Sequence, residues 1–197
     1  FSRGTAGGAH PVTFTVRGGG TIVPASPATI ATNAAGIAAV TSWTLGTTAG
    51  TNTLSATSGG LTGSPVTFTA TGTAGAATQI AIQAGNAQSA TVNSPVATAP
   101  AVLVRDQFNN PVANVNVTFT VTGGGGTITP ASPATIATNA SGTAAVTSWR
   151  LGTTAGANTL SATSGSLTGS PVVFTATGTA GLATQITLQA GNNQSVT

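Results

Sequence analysis

Apolar and polar residues alternate along Val117, Thr118, Phe119, Thr120 and Val121, and again along Val12, Thr13, Phe14, Thr15 and Val16. A period of two sends the apolar side chains to one face of a pleated strand and the threonines to the other, so both segments are predicted as half-buried β-strands. Segments of the same character follow at Val102 to Asp106, in parts of Thr127 to Ile136, at Gly142 to Leu151, at Asn158 to Thr163 and at Pro171 to Thr177. Gly, Asn, Ser and Pro punctuate them, as turns require. No stretch carries apolar residues at the helical period of about 3.6, and the many β-branched residues weigh against helix. The pattern breaks once in each half: the step from Val146 to Trp149, like that from Val40 to Trp43, is three residues and not two. A β-bulge at Thr147 and Ser148 would return Trp149 and Leu151 to the core face, and the same is expected before Trp43 and Leu45. Both tryptophans are read as core residues.

This alternation is written twice. Residues 21–75 recur at 127–181 with seven changes: Val23/Thr129, Ala35/Ser141, Ile37/Thr143, Thr44/Arg150, Thr51/Ala157, Gly60/Ser166 and Thr67/Val173. A self-similar unit of this size exceeds solenoid repeats of about 20–50 residues and matches a small domain of about 100. About seven short strands per unit predict an all-β fold of tandem immunoglobulin-like sandwiches with Greek-key topology. The expected organisation is a repeat lacking its first strands over 1–75, a complete repeat over 76–181, and, over 182–197, an opening strand for a further repeat or a donor strand for a neighbouring protomer. That division follows from alignment. Val12 matches Val117, so residue 1 falls at Asp106, while the opening from Phe1 to His10 does not match Asp106 to Val115; residues 183–197 repeat 77–91.

Composition removes most chemistry. The 197 residues hold four Arg, no Lys, one acidic residue, one His and no Cys. General acid–base catalysis needs a titratable group, and only Asp106 and His10 qualify, in different copies; no catalytic residue is assigned and an enzyme is not expected. A lone carboxylate and a distant imidazole make no metal cluster, so no metal site and no cofactor are expected. Arg3, Arg17, Arg105 and Arg150 are scattered without a basic patch, which leaves nucleic-acid binding without a footprint. Gly18 to Gly20 and Gly123 to Gly126 follow strands, but no Lys or helix start follows them, so they are loop glycines and not a phosphate cradle. No run approaches the roughly 18 apolar residues of a membrane span. The Asn-x-Ser/Thr triplets at Asn116, Asn139 and Asn193 are expected by chance in so Thr-rich a chain. The low-hydrophobicity, high-charge signature of disorder is absent, with charged residues at 3%.

The run from Val104 through Arg105, Asp106, Gln107, Phe108, Asn109, Asn110, Pro111 and Val112, followed by Val115, Val117 and Phe119, resembles the signature of bacterial immunoglobulin-like domains, closest to the group-1 type of invasin and intimin. Gly142, Ala144, Val146, Gly156 and Ala162 are similar to that family's second half, so the resemblance covers one full unit. It implies an extracellular or cell-surface stalk, fibre, adhesin or surface-layer protein. It also implies that Asp106 sits structurally at a strand end before a turn made by Asn109, Asn110 and Pro111, where Asp bonds nearby amides.

A structural module follows as the expected function, with self-association between identical protomers or adjacent repeats as the expected partnership, and no small-molecule substrate. Residues 183–197 of one protomer would fill the gap in copy one of the next, a heterologous contact that builds an open filament. A window of a longer continuous array accounts for the same repeats, and both remain open at this stage. The alternative is an adhesin-type module that holds a glycan or receptor in loops at one end; it calls for clustered exposed Trp, Tyr or charge, and Tyr is absent.

Overall fold

Residues 9–195 are described in the computed structural model, and they form strands, turns and loops without a helix. The expectations for Phe1 to Gly8, Arg3 among them, and for Val196 and Thr197 lie outside the described residues. The chain divides into two compact units, Phe1–Ala76 with Arg105–Asn110, and Ala77–Val104 with Pro111–Thr197.

The first unit contains β1 (Pro11–Arg17), β2 (Thr21–Val23), β3 (Ala28–Ala31), β4 (Ser42–Thr44), β5 (Gly50–Thr57) and β6 (Val66–Gly72). Four of them make an antiparallel sheet in the order β3-β1-β5-β6, while β2 and β4 form a separate ribbon. The alternation read from the sequence sets the register: Phe14 lies opposite Ala28 on one side and Ala56 on the other. Phe14, Ile22, Ala28 and Leu54 form the core. On the polar side of the same strand the Thr13 and Thr29 hydroxyls pair at 3.0 Å.

The second unit contains β7 (Gln79–Ala84), β8 (Gln88–Thr91), β9 (Ala101–Arg105), β10 (Asn116–Gly123), β11 (Thr127–Thr129), β12 (Ala134–Ala137), β13 (Thr143–Ala145), β14 (Ser148–Arg150), β15 (Gly156–Thr163) and β16 (Val172–Thr179). A five-stranded sheet runs β12-β10-β15-β16-β8, and a three-stranded sheet runs β13-β9-β7, with β11 and β14 as a short ribbon. The strands β8 and β16 pair in parallel, from Gln88 opposite Ala176 to Thr91 opposite Thr179. Between the sheets, Val102 and Val104 of β9 pack in one apolar cluster with Phe119, Leu160, Phe174 and Trp149. This is the expected immunoglobulin-like sandwich. Its strands are shorter and more numerous than expected because Thr127 to Ile136 and Gly142 to Leu151 each split in two.

That splitting corrects the expected bulge. The strand β13 pairs with β9, whereas β14 pairs with β11, so the chain changes sheets between Ala145 and Ser148. At the switch Val146 N donates to Pro100 O at 3.2 Å and Thr147 N to Thr129 O at 2.8 Å. The odd spacing serves the purpose inferred for it, since Val146, Trp149 and Leu151 are all buried. The cause is a change of partner, and not an extra residue within one ladder.

Glycines at the loop beneath this switch are fixed by close approach. A Cβ on Gly152 would stand 1.7 Å from Gly124 O, and one on Gly124 would stand 2.4 Å from Asn158 Oδ1. Buried Asn158 uses that oxygen to accept from Gly152 N at 2.9 Å. Asn52 does the same for Gly46 N at 3.0 Å in the first unit. The loop glycines therefore make room for a buried asparagine that ties loop to strand, a role sequence periodicity does not reveal.

Candidate functional site

Two features carry the chemistry that this chain has: a buried carboxylate and an uncovered apolar face. The carboxylate belongs to Asp106, at the end of β9, in the loop Arg105–Asn110 that clusters with the first unit. Its Oδ1 accepts from Phe108 N at 2.8 Å and Asn110 N at 2.9 Å. Its Oδ2 accepts from Gly75 N at 2.8 Å and Asn110 Nδ2 at 2.9 Å. Asn109, between these donors, takes the left-handed conformation with φ of 66°, which Asn tolerates better than most residues. Asn110 is buried too: its Nδ2 also donates to Thr47 O at 2.8 Å, and its Oδ1 accepts from Ala49 N at 2.8 Å. The side-chain bond from Asn110 and the backbone donors of Gly75, Asn110 and Phe108 outweigh desolvation and lower the Asp106 pKa from 3.8 to about 2. A carboxylate so engaged stays charged and fully occupied at neutral pH, which makes it a structural anchor and a poor proton acceptor for catalysis.

The other candidate residues scatter. His10 is exposed just before β1, its backbone N donating to Thr32 Oγ1 at 2.9 Å. Among the described residues no three His, Cys, Asp or Glu side chains gather as a metal site. Asn116, Asn139 and Asn193 are exposed, and Asn139 Oδ1 is occupied by Ser141 N and Thr143 N. No helix among the described residues is long and apolar enough to cross a membrane.

The uncovered face is in the first unit. Phe14, Ala38, Val40, Trp43, Leu54 and Phe68 line an open groove of about 390 Å³. A hollow of about 170 Å³ opens among Val12, Ala56, Leu61, Gly63 and Val66. The matching residues of the second unit are covered: Phe174 is 0% exposed against 47% for Phe68, and Val172 6% against 52% for Val66. Residues 37–40 form no strand, unlike β13 of the second unit. The core assignment therefore holds for Trp149, whereas Trp43 is only partly buried against its unit's core. Both indole N–H groups are buried and lack a hydrogen-bond partner among the described residues. Replacing Trp43 by Phe should remove the more accessible emitter, so intrinsic fluorescence should shift to the blue and acrylamide should quench it less; unchanged quenching would contradict the exposed groove.

No protein-family model matches the chain, and no curated protein is significantly similar to it in sequence. Solved structures do match. InvD of Yersinia pseudotuberculosis is 21% identical, with 91% of this chain and 50% of that one covered and a TM-score of 0.55. The D0–D1 domain of intimin is 25% identical over 89% of this chain and 83% of that one, at a TM-score of 0.35. Invasin, described as a bacterial integrin-binding protein, is 21% identical over 88% of this chain and 32% of that one, at a TM-score of 0.43. This chain thus spans about half of the InvD structure and a third of the invasin structure. The likeness to InvD shows a shared fold, an immunoglobulin-like β-sandwich.

Proposed function

We propose that the chain is a structural module of an extracellular bacterial fibre, stalk or surface layer, in which near-identical sandwiches set length and spacing. The carrying observation is where the chain spends its one carboxylate: Asp106 is buried in a turn and saturated by donors, not presented to a ligand. A spacer needs repeated, well-anchored domains and no distinct site, and the two copies differ at few positions. The β-sandwich fold shared with InvD suits such a module but does not itself define a role. The partners in this reading are identical protomers or adjacent repeats, and strands supplied from one to the next complete the exposed face of the first unit.

The test is antibody labelling of intact producing cells, with electron microscopy of the surface and of shed material. Labelled appendages or a labelled coat on unpermeabilised cells are expected. Label that appears only after permeabilisation would overturn the extracellular assignment.

A further inference from the structure

We propose that Asn139 is a glycosylation site, its Nδ2 carrying an oligosaccharide transferred from a polyprenyl-diphosphate carrier during export; this rests on the extracellular reading above. Chance supplies Asn-x-Ser/Thr triplets in so Thr-rich a chain, and the structure separates one of the three from the others. Transfer needs an asparagine amide that reaches solvent and, two residues on, a hydroxyl free to be recognised.

Asn139 meets both conditions. It opens the exposed turn between β12 and β13, where Asn139 N donates to Thr143 O at 2.9 Å and Gly142 N to Asn139 O at 2.8 Å. Its Oδ1 accepts from Ser141 N at 2.9 Å and from Thr143 N at 3.1 Å, whereas its Nδ2 and the Ser141 hydroxyl have no partner among the described residues. The amide oxygen is held in the turn and the nitrogen is left to solvent. Bonds donated to the oxygen draw charge from the nitrogen, so Nδ2 gives up a proton more readily, which is how a weakly nucleophilic amide is activated. In the transfer Nδ2 attacks C1 of the first sugar. The N–C1 bond forms as the C1–O bond to the diphosphate breaks, polyprenyl diphosphate leaves, and the Nδ2 proton passes to a base of the transferase.

The other two triplets are placed differently. Asn116 lies within the ladder of β10, opposite Ala137, and the Thr118 hydroxyl of its triplet is already paired with Thr135 Oγ1 at 2.9 Å. At Asn193 the backbone is left-handed, with φ of 53°, and no described residue bonds the side-chain oxygen.

Copy one holds the matched control. Asn33 is exposed in the same turn, and its Oδ1 accepts from Ala35 N at 2.9 Å and from Ile37 N at 3.0 Å, but Ala35 stands where the triplet needs a hydroxyl. Two of the differences between the copies, Ala35/Ser141 and Ile37/Thr143, fall in this turn, and the first of them makes the triplet. In a chain with charged residues at 3%, a glycan here adds hydration that the side chains do not supply.

The test is tandem mass spectrometry, with electron-transfer fragmentation, of protein taken from producing cells and digested with trypsin. Arg105 and Arg150 bracket a peptide, 106–150, that holds Asn116 and Asn139 but not Asn33. A glycan mass localised to Asn139, and none at Asn33, is expected. Ser141→Ala should abolish it, Ser141→Thr should keep it, and Ala35→Ser should create a second site at Asn33; the first and last of these install the residue that the other copy already bears, so folding is not at stake. A glycan that survives Ser141→Ala, or that sits on Asn116 or Asn193 in place of Asn139, overturns the proposal. Unmodified Asn139 on protein that antibodies reach on intact cells overturns this site and leaves the extracellular reading standing, whereas label confined to permeabilised cells overturns both.

Discussion

Phe174→Ala should cost the second unit about 3–5 kcal/mol, while Phe68→Ala, the same change at the same point of the repeat, should cost the first unit about 1 kcal/mol or less. Phe174 is fully buried between the sheets, and its removal leaves a cavity as well as losing transfer free energy. Phe68 is 47% exposed on a groove already open to water, so truncation there creates little new void. Against a typical domain stability of about 5–15 kcal/mol the first change is severe and the second tolerable. Two-probe denaturant unfolding of each variant separates them: equal losses at both sites would mean that the two units cover this phenylalanine alike.

The second large effect concerns pH. The folded pKa of Asp106, about 2, lies below the ordinary 3.8, so its contribution to stability is complete above 3.8 and is lost as pH falls toward 2. With one acidic side chain in the whole sequence, the acid limb of the stability curve belongs to this residue, apart from the chain's terminal carboxyl. Asp106→Asn cannot mimic it. Each carboxylate oxygen accepts from two donors, so whichever way the amide turns, its NH2 faces two N–H groups. The variant should be less stable at pH 7, flat between pH 4 and 2, and should converge on the parent at the acid end. Urea titrations at several pH values check this; an acid limb of unchanged shape in Asp106→Asn would remove Asp106 from its anchoring role.

Much of the fold was legible because period-two alternation survives at Phe14, Phe119 and their neighbours, and because each β-strand was flanked by turn residues. The anchoring of Asp106 was legible through motif resemblance, although Gly75 and Asn110 as its donors were not. What sequence could not tell is shown by the two copies of Ala-Ala-Val before Trp43 and Trp149. After Thr143 this run joins strand β13; after Ile37, a stronger strand former, it joins none. The difference lies in the partner: β13 pairs with β9, and among the described residues the first unit has no strand in that place. Local propensity is nearly identical in the two copies, so the ladder is decided by what lies across from it. The sheet switch at Val146 escaped for the same reason, since spacing shows that a side chain turns inward but not which strand it turns toward.

The outer sheet faces are finished with paired hydroxyls, Thr13 with Thr29 and Thr118 with Thr135 at 2.9–3.0 Å, and charge is nearly absent. Neutral dipoles of this kind offer dissolved ions little to screen. A coat built from such faces would keep its strength from fresh water to brine and hold few counterions, so its mechanical and colloidal properties would be set by hydration and not by the ionic composition of the surroundings.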